Sequence, residues 1–162
     1  MSFKKLALSA AILAISYSAH ASKEKIDEAI LGVWAMFPLA NGIANVVEFK
    51  GNGEVDNHSF RCDIASQNVL SKGIETKKYK LDGNKILFVT EGTPEFKEHL
   101  IFKGIQTRKM RSGRLYPILQ LTQVITYGED EELALDFEYL QRESNDYTPL
   151  CDAYFAMQKA GK

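Results

Sequence analysis

The sequence predicts a mainly β protein: an eight-stranded up-and-down antiparallel barrel with a short N-terminal helix and a C-terminal helix. Three observations carry this. Eight strand-like segments follow one another, most joined by short turns. Two of the turns, Gly51-Asn52-Gly53 and Asp82-Gly83-Asn84, have the composition of tight hairpins. Leu133, Leu135, Phe137 and Tyr139 alternate with Asp136 and Glu138, the period-two signature of a half-buried strand. Closing eight such strands into a barrel removes their exposed edges. A flattened sandwich or half-open sheet fits the same segments.

Residues 1–21 are expected to be an export leader. Lys4 and Lys5 precede an apolar run from Leu6 to Ile15, and Ala19-His20-Ala21 has the small-x-small form of a cleavage site. The apolar run is half of the roughly 20 residues needed to span a bilayer. An uncleaved anchor is the alternative. Cleavage near Ala21 predicts a periplasmic or secreted chain, with residues 22–162 as one domain. Eighteen basic and 21 acidic residues there leave a net charge of −3. That balance is no nucleic-acid footprint, and no second apolar stretch predicts a membrane span.

"KEKIDEAI" (23–30) predicts the first helix. The strands follow as "GVWAMFP" (32–38), "IANVVEFK" (43–50), "EVDNHSFRC" (54–62), "TKKYKL" (76–81), "KILFVTE" (85–91), "FKEHLIFKGIQT" (96–107), "LYPILQLTQVIT" (115–126) and "LALDFEYLQR" (133–142). The stretch from Thr148 predicts a helix opened by Pro149, with Leu150, Tyr154 and Met157 on one stripe and Phe155 beside it. Cys62 and Cys151, 89 positions apart, are the two cysteines; in an oxidising compartment such a pair is expected to be bonded, the alternative being two buried thiols.

The order of parts resembles that of the lipocalins, or calycin-like barrels. A short helix precedes Gly32-Val33-Trp34 in the first strand, eight strands and a helix follow, and a cysteine of an early strand can reach one after the barrel. The resemblance implies that Arg142, near the end of the last strand, packs over Trp34 at the closed end. Arg142 shares its parity with Asp136 and Glu138, so the strand end would have to rotate it inward.

Running strand one upward sorts the loops. Residues 63–75, the longest irregular connection, fall at the top with residues 91–95 and the acidic run Glu129, Asp130, Glu131 and Glu132. The tight turns fall at the bottom with Arg108, Lys109, Arg111 and Arg114, a candidate peripheral contact for an anionic surface; the plain alternative for both charge runs is a solvated hairpin tip.

No nucleophile motif, phosphate loop or metal-spaced cluster is present, and neither a cofactor nor catalysis is expected. His58 and Ser59 point to opposite faces as strand neighbours, as do Glu98 and His99; which of the latter two faces inward is left open. The expected ligand-binding positions are Phe96, Phe102, Leu121, Phe137 and Tyr139 as walls, with Glu98 and Gln123 as polar points. Val47, Phe49, Tyr79, Leu81, Leu100, Leu119, Ile125 and Leu135 share those faces.

Two functions fit this pattern. One is an exported carrier of a small hydrophobic or amphipathic ligand. The other is a protein-interaction module, of inhibitor or immunity type, with a filled core. A weaker third is an enzyme using Glu98 and Tyr139.

Overall fold

The computed structural model describes residues 23–89, 96–110, 112–128 and 131–160. Residues 1–22 (the expected leader included), 90–95, Arg111, Glu129, Asp130 and residues 161–162 lie outside the described residues, as does the side chain of Phe96.

The elements run α1 (Lys23–Ile30), β1 (Gly32–Met36), β2 (Ile43–Phe49), β3 (Glu54–Asp63), β4 (Asn68–Asp82), β5 (Lys85–Val89), β6 (Phe96–Lys109), β7 (Leu115–Tyr127), β8 (Glu131–Arg142) and α2 (Thr148–Ala160). Each strand pairs antiparallel with the next, and β8 pairs back onto β1 to close the barrel. The seams are unequal. β7 meets β8 over ten residue pairs, from Ile118↔Leu140 to Tyr127↔Glu131, whereas β1 meets β8 over four and β5 meets β6 over three.

The β2–β3 hairpin turns as its sequence predicts. Lys50 N–H donates to the Glu54 carbonyl at 2.8 Å, and Gly53 takes the positive φ of 77° that glycine adopts without steric cost. Gly42 is required for a second reason. With φ at 79°, a Cβ there would stand 2.2 Å from the Cys62 carbonyl oxygen. Its own carbonyl accepts from Cys62 N–H at 2.9 Å, which pins the β1–β2 loop beside the disulfide.

The core has two layers. Inside the barrel, Trp34, Phe49, Tyr79, Leu81 and Leu119 pack with Ile26 and Ile30 of α1. The Trp34 indole N–H donates to the Ile30 carbonyl at 2.7 Å, satisfying a helix-end acceptor. The Tyr79 hydroxyl donates to Asp27 at 3.3 Å. Thus α1 closes the end of the barrel that also carries the β2–β3 turn. Outside the barrel, α2 covers Ala44, Val46, Phe60 and Cys62 with Leu150, Cys151, Tyr154 and Phe155. Cys62 and Cys151 are bonded, with Cα atoms 5.3 Å apart. Tyr147 stacks on Phe60 at 4.5 Å, and the Tyr154 hydroxyl donates to the Ala40 carbonyl at 2.8 Å.

The structure corrects three local expectations. Residues 68–75 are not part of a long top loop but the first half of β4, paired to β3. Val69, Leu70 and Ile74 among polar neighbours do not alternate, which hid the strand, and so did a bulge: Phe60 faces Ser71 where unbroken register would place it near Lys72. On α2, Met157 is 61% exposed, and the buried stripe is instead Leu150, Cys151, Tyr154 and Phe155, centred on the bonded Cys151. Finally, Arg142 does not cover Trp34. It pairs with Val33, on the other face of β1, and its guanidinium donates to the Asp146 carbonyl at 3.3 Å. The β7–β8 register runs unbroken, so no bulge rotates Arg142 inward. The indole is capped by α1 instead.

Candidate functional site

Above the Trp34 layer the barrel encloses a cavity of about 270 Å³. Its position follows from strand parity. Asn45, Val47 and Phe49 of β2 face inward with Val55, Asn57 and Ser59 of β3 and with Glu75 and Lys77 of β4. Phe88, Glu98, Leu100, Leu121, Gln123, Phe137 and Tyr139 complete the opposite wall, and Met36 and Leu39 close the β1 side.

The cavity therefore gathers five of the expected positions: Leu121, Phe137 and Tyr139 as wall, Glu98 and Gln123 as polar points. Phe102 packs against the core and does not line the cavity. Phe96 begins β6, and its side chain lies outside the described residues. The question left open between Glu98 and His99 is resolved: Glu98 lines the cavity, and His99 takes the other face, opposite Val124. Ile125 and Leu135 continue the inner face toward the mouth, where Leu135 is exposed.

The polar groups form one connected system. Gln123 Nε2 donates to Glu98 Oε1 at 2.6 Å. The other Glu98 oxygen lies 3.6 Å from Lys77 Nζ, which is 3.3 Å from Glu75 and 5.4 Å from the centre of the Phe88 ring. Lys77 is thus engaged on three sides. Asn45 Nδ2 donates to Asn57 Oδ1 at 2.9 Å, while Asn45 Oδ1 is buried with no hydrogen-bond partner among the described residues. Burial pushes the Tyr139 phenol up to about 12; a hydrogen bond from Asn45 opposes this, and the charge of Glu98 adds to it. The phenol is therefore a neutral donor at physiological pH.

That shift has a measurable consequence. The unfolded chain ionises this phenol near pH 10, and the folded chain near pH 12. Its contribution to stability is whole below about pH 10 and is lost as pH rises toward 12, by roughly 3 kcal/mol for a shift of about two units. Urea unfolding of wild type and Tyr139→Phe across this window should show the wild type losing more stability. Parallel losses in the two proteins would contradict the assignment.

Sequence reasoning missed Asn45, Asn57, Ser59, Glu75, Lys77 and Phe88. The parity that finds them was present: Glu75 and Lys77 precede Tyr79 and Leu81 at period two. For the five polar residues, a polar inward face breaks the apolar alternation by which a buried strand face is recognised; Phe88 is apolar and its parity with Ile86 marks it as inward.

On the outside of β2 and β3, Glu48, Asp56 and His58 bring ligand-capable atoms within 4.8 Å of one another. Asp56 is already engaged by Lys50 at 2.6 Å and by Thr76, and these bonds hold its carboxyl below the usual range. Of the three, Asp56 alone has an ion-pair partner among the described residues, and the trio lies on the outer barrel wall, remote from the cavity face. At the basic hairpin, Arg108 makes a two-pronged bond to Glu138, both contacts 2.7 Å, and Arg114 lies over Tyr116. Arg108 is therefore committed to its own barrel. No helix among the described residues is long and apolar enough to cross a membrane.

No known protein family, curated relative or solved structure matches this chain.

Proposed function

We propose that the chain is an exported, lipocalin-like carrier that holds a small amphipathic molecule inside its barrel. The observation that carries this reading is the cavity itself. Its volume of about 270 Å³ is close to the roughly 300 Å³ at which small-molecule sites begin. Its walls are mostly apolar, with a few convergent polar groups able to orient a guest. A filled core, which a pure interaction module would use, leaves no such space. The bonded cysteine pair suits an oxidising compartment. Lipocalin-like architecture is supported by the closed eight-strand ring, the plugging N-terminal helix and the C-terminal helix packed outside.

Leu121→Trp tests the proposal. Leu121 is buried and lines the cavity, so the larger side chain should occupy the space a guest needs. Wild type should show saturable fluorescence enhancement with N-phenyl-1-naphthylamine, an uncharged apolar probe. The variant should lose it while keeping a cooperative thermal melt. Equal enhancement in both proteins, or none in wild type, would overturn the reading.

A further inference from the structure

The wall chemistry of the cavity points to the charge of its guest. We infer that the barrel selects a small aromatic or aliphatic amine in its cationic form, rather than a fatty acid or other anion; this rests on the carrier reading above.

The side chains of the described lining that are charged at neutral pH are Glu75, Lys77 and Glu98, a formal net charge of −1. The one cation among them is not available to a carboxylate guest. Lys77 lies between Glu75 and Glu98 and over the face of Phe88. An entering anion would have to displace these partners and would meet two carboxylates in a site with reduced solvent screening. A cation meets the opposite situation: it adds a counter-charge to an acidic surplus.

The hydrogen-bonding groups agree. Asn45 and Gln123 both turn amide nitrogens toward other wall groups, Asn57 and Glu98. Among the described residues the buried Asn45 Oδ1 has no donor. A buried acceptor left unpaired is costly, and an ammonium N–H supplies what it lacks. Phe137 and Tyr139 bring aromatic rings to the same wall as Glu98, and an aromatic ring face attracts a cation. The residues that would orient the guest are thus Glu98 and Asn45. Glu75, 59% exposed, adds negative charge at the wetter end.

Three indoles of similar size and different charge test this directly: tryptamine, 3-ethylindole and indole-3-propionate. Isothermal titration at pH 7 on the full chain should rank tryptamine at least tenfold above the other two, with the margin shrinking as salt is added. Glu98→Gln should bring the tryptamine to 3-ethylindole affinity ratio toward one. Should Glu98→Gln fail to fold, Glu75→Gln at the exposed position should reduce the same ratio by a smaller factor. Indole-3-propionate or 3-ethylindole binding as tightly as tryptamine would overturn the inference and leave the carrier reading intact. No binding by any of the three, together with no uptake of the uncharged naphthylamine probe, would overturn both.

Discussion

Replacing Cys62 and Cys151 together by alanine is expected to lower the free energy of unfolding by roughly 2–5 kcal/mol. The bond joins β3 to α2 across a separation of 89 residues, a long loop whose closure restricts the unfolded chain strongly. It also sits in the outer core, where both cysteines are buried and Phe60, Tyr154 and Phe155 pack around them. The loss should therefore have two parts: a freer unfolded chain, and an α2 that no longer holds its buried stripe against the barrel. Urea unfolding measures the total. Near-ultraviolet dichroism measures the second part, through the stacked Phe60–Tyr147 pair at 4.5 Å. Wild type, denatured without reductant, should yield no free thiol on titration. A double variant as stable as wild type would mean that α2 stays docked without its covalent tie.

Trp34→Ala is expected to cost roughly 3–5 kcal/mol, the range for removing a large aromatic from a packed core. Trp34 is 1% exposed and lies between the inward residues of the barrel and the end of α1. Its deletion leaves a void in the core below the cavity and removes the indole that packs against α1. Trp34→Phe separates the two effects. The ring volume is largely kept, but the Ile30 carbonyl loses its donor, which costs roughly 1–3 kcal/mol if the site stays dry. As Trp34 is the sole tryptophan, wild-type emission should be blue-shifted in the folded state and move to the red on unfolding. Arg142→Ala should leave that emission unchanged, because Arg142 faces away from the indole. A folded-state emission typical of water-exposed indole would contradict the buried floor.

Much of this architecture was legible because local chemistry and global fold agree. The Gly51-Asn52-Gly53 turn needs no tertiary help, and β8 declares its inner face through Leu133 to Tyr139. β4 was legible only in part. From Asn68 to Thr76 its exposed side chains carry no hydrophobic period, and its position is set by pairing with β3 rather than by burial. The same reason governed the site. Leu121, Phe137 and Tyr139 could be found as apolar inward positions. Asn45, Asn57, Glu75 and Lys77 could not, because a polar residue facing a cavity and one facing solvent have the same appearance in a sequence. The placement of Arg142 rested on resemblance against its own parity, and parity prevailed.

The four-pair seam between β1 and β8 has a consequence for the order in which the barrel assembles. Val33 and Arg142, partners across that seam, are 109 positions apart, so theirs is among the least local pairings in the chain. Few ladder bonds reward a long search. Once Cys62 and Cys151 are joined, however, the shortest covalent path between the two partners runs through the sulfur bridge and spans only about 38 residues. Loop-closure entropy grows with the logarithm of length, so this shortcut eases the final zipping step by about 1 kcal/mol. Oxidation before closure thus brings the first and last strands within reach of each other, and β1, only five residues long, can be the last strand to dock.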